Sequence, residues 1–334
     1  MGEERDTMKK LNVLSLFDGI SAGMVALERA GIPVDNYFAS EIDKYAIQIS
    51  KKNYPNIIQL GDVRDWRNWD LPKIDLLIGG SPCLGFSRAG AGLNFNDPQS
   101  KLFFEYVDIL NYYKPKFFLL ENVKMKSEWS EIITSYIGVE PILINSALLS
   151  AQNRERLYWT NIPNVVQPED KQIYLKDIVL DDVYPTAIHN IYGGFKEKTV
   201  RTFEDKSPTV RTPRGGGYVP SFVKRDLLHS EKAIEYMDRA VKDGRTHWDF
   251  SLHGDIRNDK SQAVVSNFFK GVPYNVFKDW DCIRKYHPIE TERLQTFPDG
   301  YTEGVSNTQR YKVLGNSWTV DVVAHIFSFI KKEI

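Results

Sequence analysis

Cys83 stands in the segment GGSPCLGFS and is the first side chain in this sequence that is placed for covalent chemistry. It follows IDLLIGG, a run typical of a buried strand, and ligands of α/β sheets bind where strands end. A free thiol needs a cationic neighbour to supply thiolate at neutral pH. Arg154 and Arg156 of QNRERLYW offer cations, and at i and i+2 of a strand they would share a face. Cys282 has no such setting and is interpreted as an inert small side chain.

A second chemical group follows another apolar run. Glu121 and Asn122 come near the end of KFFLLENV, a continuous hydrophobic stretch typical of a buried parallel strand. A carboxylate at such a strand end would be partly desolvated and could carry a proton at neutral pH. An ordinary ion pair at the edge of the sheet is the alternative interpretation.

Polar positions also follow the first three predicted strands. The turn FDGISAG joins the first strand to a helix that stops at Gly31, while Glu41 and Asp62 end the next two strands. Glu41 can accept hydrogen bonds from both hydroxyls of a ribose, and Asp62 from the amino group of an adenine. Each residue alone is more often a cap or a turn former. Together they predict an adenosine site, and the lack of a GxGxxG phosphate cradle favours S-adenosylmethionine over NAD.

The elements that must position these groups alternate between strand and helix. Helical patterns alternate with five strand-like stretches, which are the apolar residues from Leu11, VDNYFASEID, NIIQLGDV, IDLLIGG and KFFLLENV. This alternation predicts an α/β fold with a doubly wound, mostly parallel Rossmann-like sheet. This alternation of strand and helix patterns ends at about residue 185. The segment from there to about residue 285 is rich in Gly, Pro, Thr and Arg and holds short β-like pieces, KTVRTF, YVPSFV and QAVVSNFF, which predict a smaller β-rich unit.

Composition narrows the class of protein. The chain has 334 residues and a net charge of −1, so no global field attracts nucleic acid or a membrane. Residues 196–225 carry eight basic and three acidic side chains, a local basic surface that is either a solvated face or a contact for nucleic acid. Two cysteines form neither a disulfide framework nor a zinc site unaided, and no metal site is expected. Without a signal peptide or a long apolar run, the expectation is a soluble cytoplasmic protein.

Five blocks of this sequence, in this order, resemble the motifs of one enzyme family. FDGISAG, GGSPCLGFS, ENV, QNRERLYW and VLGNSWTVDV closely resemble the blocks of DNA cytosine-5 methyltransferases of bacterial or phage type. The resemblance covers roughly residues 11–165 and 284–330. Ser81 before Pro-Cys and Trp318 after Gly-Asn-Ser are similar to the branch that includes the animal de novo enzymes.

The resemblance implies a covalent mechanism on a cytosine that is flipped out of duplex DNA. The Cys83 thiolate would add to carbon 6, and Glu121 would hydrogen-bond and protonate N3. Carbon 5 would then take the methyl group of S-adenosylmethionine, after which loss of its proton and of Cys83 restores the aromatic ring. Arg156 would contact the cytosine carbonyl oxygen, and Arg154 would hold the catalytic loop or the DNA backbone.

The resemblance also implies binding residues. The segment after Cys83 would close over the base, with Ser87 and Arg88 on the DNA, and Arg211 and Arg214 in the basic run would contact DNA as well. Ile42 departs from the family pattern, because many relatives have a large aromatic side chain there. The positions expected to hold S-adenosylmethionine are Phe17, Asp18, Gly19, Ile20, Gly23, Glu41, Ile42, Asp62, Val63, Gly80, Pro82, Leu102, Asn316, Ser317 and Trp318.

The same comparison predicts the organisation of the chain. Residues 1–185 with 305–334 would form a discontinuous catalytic domain, and residues 186–304 a target-recognition domain. The expected partner is double-stranded DNA, bound by a monomer in a bacterial or phage-infected cell, with a cognate restriction endonuclease, if one exists, acting independently. A tRNA cytosine-5 methyltransferase on the same fold and an inactive DNA-binding homologue are the alternatives.

Overall fold

A seven-stranded sheet forms the centre of the protein in the computed structural model, which describes residues 8–81, 98–180, 183–189, 201–203, 205–210, 221–224 and 283–334. The strand order is β3-β2-β1-β4-β5-β7-β6, and only β7 runs antiparallel to its neighbours. The strands are β1 (Leu11–Leu16), β2 (Val34–Ser40), β3 (Ile58–Gln59), β4 (Leu76–Gly80), β5 (Phe117–Val123), β6 (Ile142–Asn145) and β7 (Glu155–Thr160).

Helices cover both faces of this sheet. Alternate residues of β1 enter two separate cores: Leu11 and Val13 pack with the first and last helices, whereas Leu14 and Leu16 pack with helices from the middle of the chain. The predicted doubly wound α/β sheet is therefore confirmed. The helices are α1 (Ala22–Ala30), α2 (Lys44–Asn53), α3 (Pro98–Tyr113), α4 (Ser127–Ile137), α5 (Pro288–Leu294), α6 (Asn307–Asn316) and α7 (Val320–Ser328).

Local sequence explains where the first helix ends. Gly31 adopts the left-handed conformation with φ of 66°, and its N–H donates to the carbonyl oxygens of Glu28 and Leu27. A glycine has no Cβ penalty in this conformation, so it ends a helix without strain. The predicted stop at Gly31 is confirmed, and the turn from α1 into β2 follows directly from it.

The third strand is shorter than its apolar run indicates. Only Ile58–Gln59 pairs with β2, and Asp62 lies beyond the strand as the N-cap of a 3₁₀ helix, Val63–Asn68. The Asp62 carboxylate accepts a hydrogen bond from the backbone N–H of Arg64. This carboxylate is therefore positioned by a helix start rather than by a strand end.

One helical stretch among the described residues, Asn307–Lys332, is long and apolar enough to cross a membrane. It is interrupted between α6 and α7, and the apolar side chains of α7 lie in the core against α1. Burial inside the protein therefore accounts for its hydrophobicity.

A second, four-stranded antiparallel sheet lies in the middle of the sequence. It consists of β8 (Val183–His189), β9 (Arg201–Phe203), β10 (Ser221–Lys224) and β11 (Ile283–Lys285), in the order β11-β10-β8-β9. The β-like pieces KTVRTF and YVPSFV contain β9 and β10, whereas QAVVSNFF lies outside the described residues. A third, small core brings together residues from before and after β8, and Phe203 of β9 packs against it; its buried members are Ala151, Leu175, Ile178, Val210, Tyr286 and Leu294.

Candidate active site at the carboxyl edge of the sheet

Four neighbouring strands present their carboxyl ends to one edge of the large sheet. The chain leaves β1 at Leu16, β2 at Ser40 and β4 at Gly80, and Glu121 lies in register with Gly80 on β5. Parallel strands bring their ends to the same edge, so residues that are far apart in sequence meet there. The predicted cofactor residues of the first turn and the predicted catalytic Glu121 therefore share this edge.

The first turn is built from alternating left-handed residues. Phe17, Gly19 and Ser21 have φ values of 56°, 61° and 60°. Left-handed backbone is strained for residues other than glycine, by about 1–3 kcal/mol each, and such strain concentrates at functional sites. The sequence indicated a glycine turn here but gave no sign of the strain at Phe17 and Ser21.

Glu41 is fixed by three backbone donors. Its Oε2 accepts from the Gly19 N–H at 2.8 Å, and its Oε1 accepts from the N–H groups of Ile42 at 2.7 Å and Asp43 at 2.8 Å. A carboxylate offers about four lone-pair directions, so part of its accepting capacity stays open for a ligand hydroxyl. The link to Gly19 joins Glu41 directly to the first turn.

Asp18 lies beneath that turn in a buried polar network. Its carboxylate accepts from the Ser21 hydroxyl at 2.6 Å and from the Tyr37 hydroxyl at 2.8 Å. Burial raises the pKa of Asp18 above its ordinary value of 3.8, although the hydrogen bonds from these hydroxyls oppose the shift. The Asp18 side chain thus supports the turn from inside, and its predicted contact with a cofactor remains a prediction.

The other predicted cofactor positions differ in exposure. Ile42 is 71% exposed next to Glu41 and presents an apolar surface, whereas Ile20 is fully buried. The Asp62 carboxylate is held by the Arg64 guanidinium, whose hydrogen bond lowers the pKa of Asp62. Two further predicted cofactor residues are apolar: Val63 is buried and Leu102 is half-buried.

Gly23 has a clear packing role. A Cβ at this residue would lie 2.3 Å from Ile78 Cδ1 and 2.7 Å from the Tyr37 hydroxyl. The absence of a side chain therefore lets α1 lie directly on the sheet. Its predicted close approach to a cofactor remains a prediction.

Glu121 is held through both carboxylate oxygens. Arg156 Nε lies 3.0 Å from Oε1, and Trp318 Nε1 donates to Oε2 at 3.1 Å. The Glu121 residue is only 9% exposed, and hydrogen bonds to an ionised carboxylate are stronger than those between neutral groups. The geometry brings together Glu121 and Arg156 of the predicted catalytic set and adds Trp318, which the sequence had indicated only for the cofactor.

Arg154 makes a different set of contacts from Arg156. Strand β7 begins at Glu155, so Arg154 precedes it, and its guanidinium donates to the carbonyl oxygens of Val210 at 3.0 Å and Ser317 at 3.0 Å. These contacts join the β7 region to the chain between α6 and α7. The two guanidinium groups thus have different partners among these contacts, and the predicted role of Arg154 beside the catalytic loop stays a prediction.

The chain between α6 and α7 offers polar groups to a ligand. Ser317 is buried, and its Oγ has no hydrogen-bond partner among the described residues, while Asn316 beside it is exposed. A buried hydroxyl without a partner is costly, and a ligand that supplies one would relieve that cost. A Cβ at Gly19 would meet no atom within 4 Å, which leaves open space at the first turn. These features fit a cofactor with a polar amino-acid end and an adenosine end.

Several predicted residues lie outside the described part of the chain. They are Pro82, Cys83, Ser87 and Arg88 in the loop after β4, and Arg211 and Arg214 in the basic run. The structure does describe the strand that leads to the loop, which ends at Gly80. The buried Ser81 hydroxyl accepts from Asn122 Nδ2 at 3.2 Å, so the chain is fixed to β5 immediately before Pro82.

Two parts of the site were not anticipated from the sequence. Tyr37 lies within β2 and carries no motif, yet its hydroxyl binds Asp18. Trp318 reaches Glu121 across 197 residues of sequence, a distance that no local pattern reports. An unusual tryptophan after Gly-Asn-Ser was the one available signal, and it indicated the cofactor only.

Comparison with known proteins places this geometry in a family. The sequence pattern of the C-5 cytosine-specific DNA methylases matches residues 11–332. The Type II methyltransferase M.FnuDI of Fusobacterium nucleatum is 30% identical, over 97% of this chain and 95% of that protein. The orphan methyltransferase M.SPRI of Bacillus phage SPR is 28% identical, over 98% of this chain and all of that protein.

Solved structures show the same fold at lower identity. A methyltransferase of Entamoeba histolytica, EhMeth, matches with a TM-score of 0.63 and 17% identity, over 98% of this chain and all of that one. A DNMT2 mutant of Spodoptera frugiperda matches with a TM-score of 0.59 and 19% identity, over 96% and 99%. The chain belongs to the C-5 cytosine-specific DNA methylase family, and it is an S-adenosylmethionine-dependent methyltransferase that acts on carbon 5 of cytosine in DNA.

Proposed function

We propose that Cys83, Glu121 and Arg156 carry out the chemical steps on a cytosine flipped out of the duplex. The observation that carries the proposal is the fixed Glu121 carboxylate on β5, the strand beside β4, which is ion-paired at 3.0 Å with Arg156 on β7. β4 leads directly to Cys83, so the chain that bears the thiol starts next to Glu121.

In the proposed mechanism, the Cys83 thiolate forms a bond to carbon 6 while Glu121 delivers a proton to N3. The electron pair of the 5,6 double bond then makes carbon 5 nucleophilic. After carbon 5 has been methylated, its proton leaves to a base, N3 returns its proton to Glu121 and the thiolate is eliminated, which restores the aromatic ring. Arg156 neutralises Glu121 and contacts the carbonyl oxygen of the base, and Arg154 braces the chain near Ser317.

We also propose which residues hold the cofactor. Its sulfonium supplies the electrophilic methyl group when it is bound. Glu41 accepts from the ribose hydroxyls, Asp62 and Val63 bind the adenine, and Ser317 binds the methionine end. Phe17, Ile20, Ile42, Leu102 and Pro82 form the apolar walls, and Asp18, Gly19, Gly23, Gly80, Asn316 and Trp318 complete the site.

Recognition of DNA is assigned to the smaller unit. Residues 186–304 would read the target sequence, with Arg211 and Arg214 on the phosphates and with Ser87 and Arg88 contacting DNA beside the catalytic loop. Residues 1–185 with 305–334 would form the catalytic domain. The separate four-stranded sheet, which begins at Val183, supports a second unit that starts near residue 186. We expect the enzyme to act as a monomer in the cytoplasm, independently of any restriction endonuclease.

Transfer of tritium from labelled S-adenosylmethionine to duplex DNA tests the function. Wild-type protein should label DNA, Cys83→Ser should abolish labelling, and Cys282→Ser should retain it as the matched cysteine control. Equal labelling by Cys83→Ser would contradict the covalent mechanism. Preferential labelling of tRNA over DNA would contradict the proposed substrate.

A further inference from the structure

Trp318 lies between the predicted cofactor site and the catalytic carboxylate. Its Nε1 donates to Glu121 Oε2 at 3.1 Å, and its ring also lies near α1, because a Cβ at Gly23 would be 3.6 Å from Trp318 Cζ3. One indole therefore spans the distance from the first helix to the end of β5. The predicted cofactor role accounts for the ring but not for the N–H.

Gly80 makes this arrangement sterically feasible. A Cβ at Gly80 would lie 2.9 Å from Glu121 Oε2 and 2.9 Å from Trp318 Nε1. Real Cβ atoms do not approach so closely, so any larger residue would push the carboxylate or the indole aside. The last residue of β4 is thus a glycine where the hydrogen bond between Trp318 and Glu121 needs the space.

The two oxygens of Glu121 have two different partners. Arg156 Nε lies 3.0 Å from Oε1 and supplies charge as an ion pair, while Trp318 Nε1 donates a hydrogen bond to Oε2 from a rigid ring. An ion pair depends mainly on distance, whereas a hydrogen bond also depends on direction, so the indole N–H is the partner that fixes the rotation of the carboxylate.

We propose that Trp318 is a positioning residue for Glu121, and that its N–H orients the carboxylate toward the base independently of any contact with the cofactor. This inference rests on the proposed function of Glu121. It predicts that loss of the N–H slows chemistry on the base even when no cofactor is bound.

A cofactor-free reaction separates the two roles of Trp318. When the Cys83 thiolate adds to carbon 6 and N3 gains a proton, carbon 5 can take a proton from water in place of a methyl group. Loss of the original hydrogen from carbon 5, return of the N3 proton to Glu121 and elimination of the thiolate then regenerate cytosine. With tritium at carbon 5 of cytosine in duplex DNA, each such cycle releases tritium to water, so the release rate reports on Glu121 without S-adenosylmethionine.

Trp318→Phe keeps an aromatic ring and removes the donor. We expect tritium release without cofactor to fall by about tenfold, since a misplaced catalytic group slows the reaction strongly. Trp66→Phe is the matched control, because Trp66 Nε1 donates to Glu105 Oε2 at 2.7 Å outside the site and its loss should leave release unchanged. Thermal unfolding of both variants checks that they fold.

A double-mutant cycle tests whether Trp318 acts through Glu121. In the Glu121→Gln background, Trp318→Phe should cause little further loss of single-turnover methyl transfer, because residues that act through one another are not additive. Gly80→Ala should reproduce the loss of tritium release.

Two outcomes would overturn the inference while leaving the proposed function intact. One is unchanged tritium release by a folded Trp318→Phe variant whose S-adenosylmethionine Kd alone has risen. The other is additive losses in the double-mutant cycle. If the wild type that methylates DNA releases no tritium without cofactor, the proposed covalent steps fail, and the inference fails with them.

Discussion

Glu41 and Glu121 occupy similar places near the ends of two strands of one sheet, yet different kinds of donor hold them. Glu41 accepts hydrogen bonds from three backbone N–H groups, those of Gly19, Ile42 and Asp43. Glu121 accepts a hydrogen bond from the Trp318 side chain and is ion-paired with Arg156. Backbone donors make Glu41 a fixed part of the loop between two elements. Side-chain donors make the orientation of Glu121 depend on distant parts of the chain.

This difference matches the chemistry assigned to each carboxylate. A group that only accepts hydrogen bonds from ribose hydroxyls must keep both its negative charge and its position. A group that exchanges a proton with a base must be oriented by partners that tolerate the change in its charge. The cofactor side of the sheet edge, around Glu41, and the base side, around Glu121, are thus separable. A mutation on one side should leave the function of the other side unchanged.

The largest effect is expected on the base side. Glu121→Gln should lower kcat for DNA methylation by about 10²- to 10⁴-fold, the usual contribution of a general acid. The Kd for S-adenosylmethionine, measured by calorimetry, should stay unchanged because no ribose or adenine contact is assigned to Glu121. A parallel rise in Kd would show that the two sides are coupled.

On the cofactor side, Glu41→Gln should act on binding. We expect it to raise the Kd for S-adenosylmethionine by about 10- to 150-fold, because hydrogen bonds to a charged group contribute about 1.5–3 kcal/mol. Its amide would also place donors against the Gly19 N–H. The exposed Glu169, changed to Gln, is the matched control, and equal effects of both changes on Kd would contradict the assignment.

The buried Asp18 beneath the Glu41 loop predicts a dependence of stability on pH. Because burial raises its folded pKa above 3.8, the folded protein binds this proton more tightly than the unfolded chain does. The contribution of Asp18 to the unfolding free energy is therefore largest below pH 3.8, and it falls as the pH rises through the folded pKa. Urea unfolding from pH 4 to pH 8 should show Asp18→Asn gaining stability relative to wild type as the pH rises. A constant difference across that range would contradict this account.

The smallest effect is expected at Asp62. Its partner Arg64 is largely exposed, with 69% of the side chain accessible, and exposed ion pairs contribute little. Arg64→Ala should leave the Kd for S-adenosylmethionine within about threefold of wild type, since Asp62 keeps its place as an N-cap. A much larger rise in Kd would assign Arg64 itself to the cofactor site.

The comparison of the two carboxylates also explains what sequence alone could predict. Apolar runs mark the strands and residues such as Gly31 mark helix ends, so the elements around Glu41 and the position of Glu121 on its strand followed from local patterns. The orientation of these side chains could not be predicted from the local sequence. The contact from Trp318 to Glu121 and the burial of Asp18 against Tyr37 depend on how distant elements pack.

The resemblance to a family supplied what periodicity could not. Apolar runs and charged strand ends predict an adenosine site, but the assignment of Glu121 to a base rather than to an ion pair came from the order of five motifs. The structure shows the ion pair between Glu121 and Arg156, and the role of Glu121 on the base stays a proposal.

Tritium release from carbon 5 of cytosine in duplex DNA, without S-adenosylmethionine, tests the division between the two sides most directly. Wild type and Glu41→Gln should release tritium at the same rate, and Glu121→Gln should release almost none. Loss of release in a folded Glu41→Gln variant, or retention of release in Glu121→Gln, would contradict the assignment of the two carboxylates.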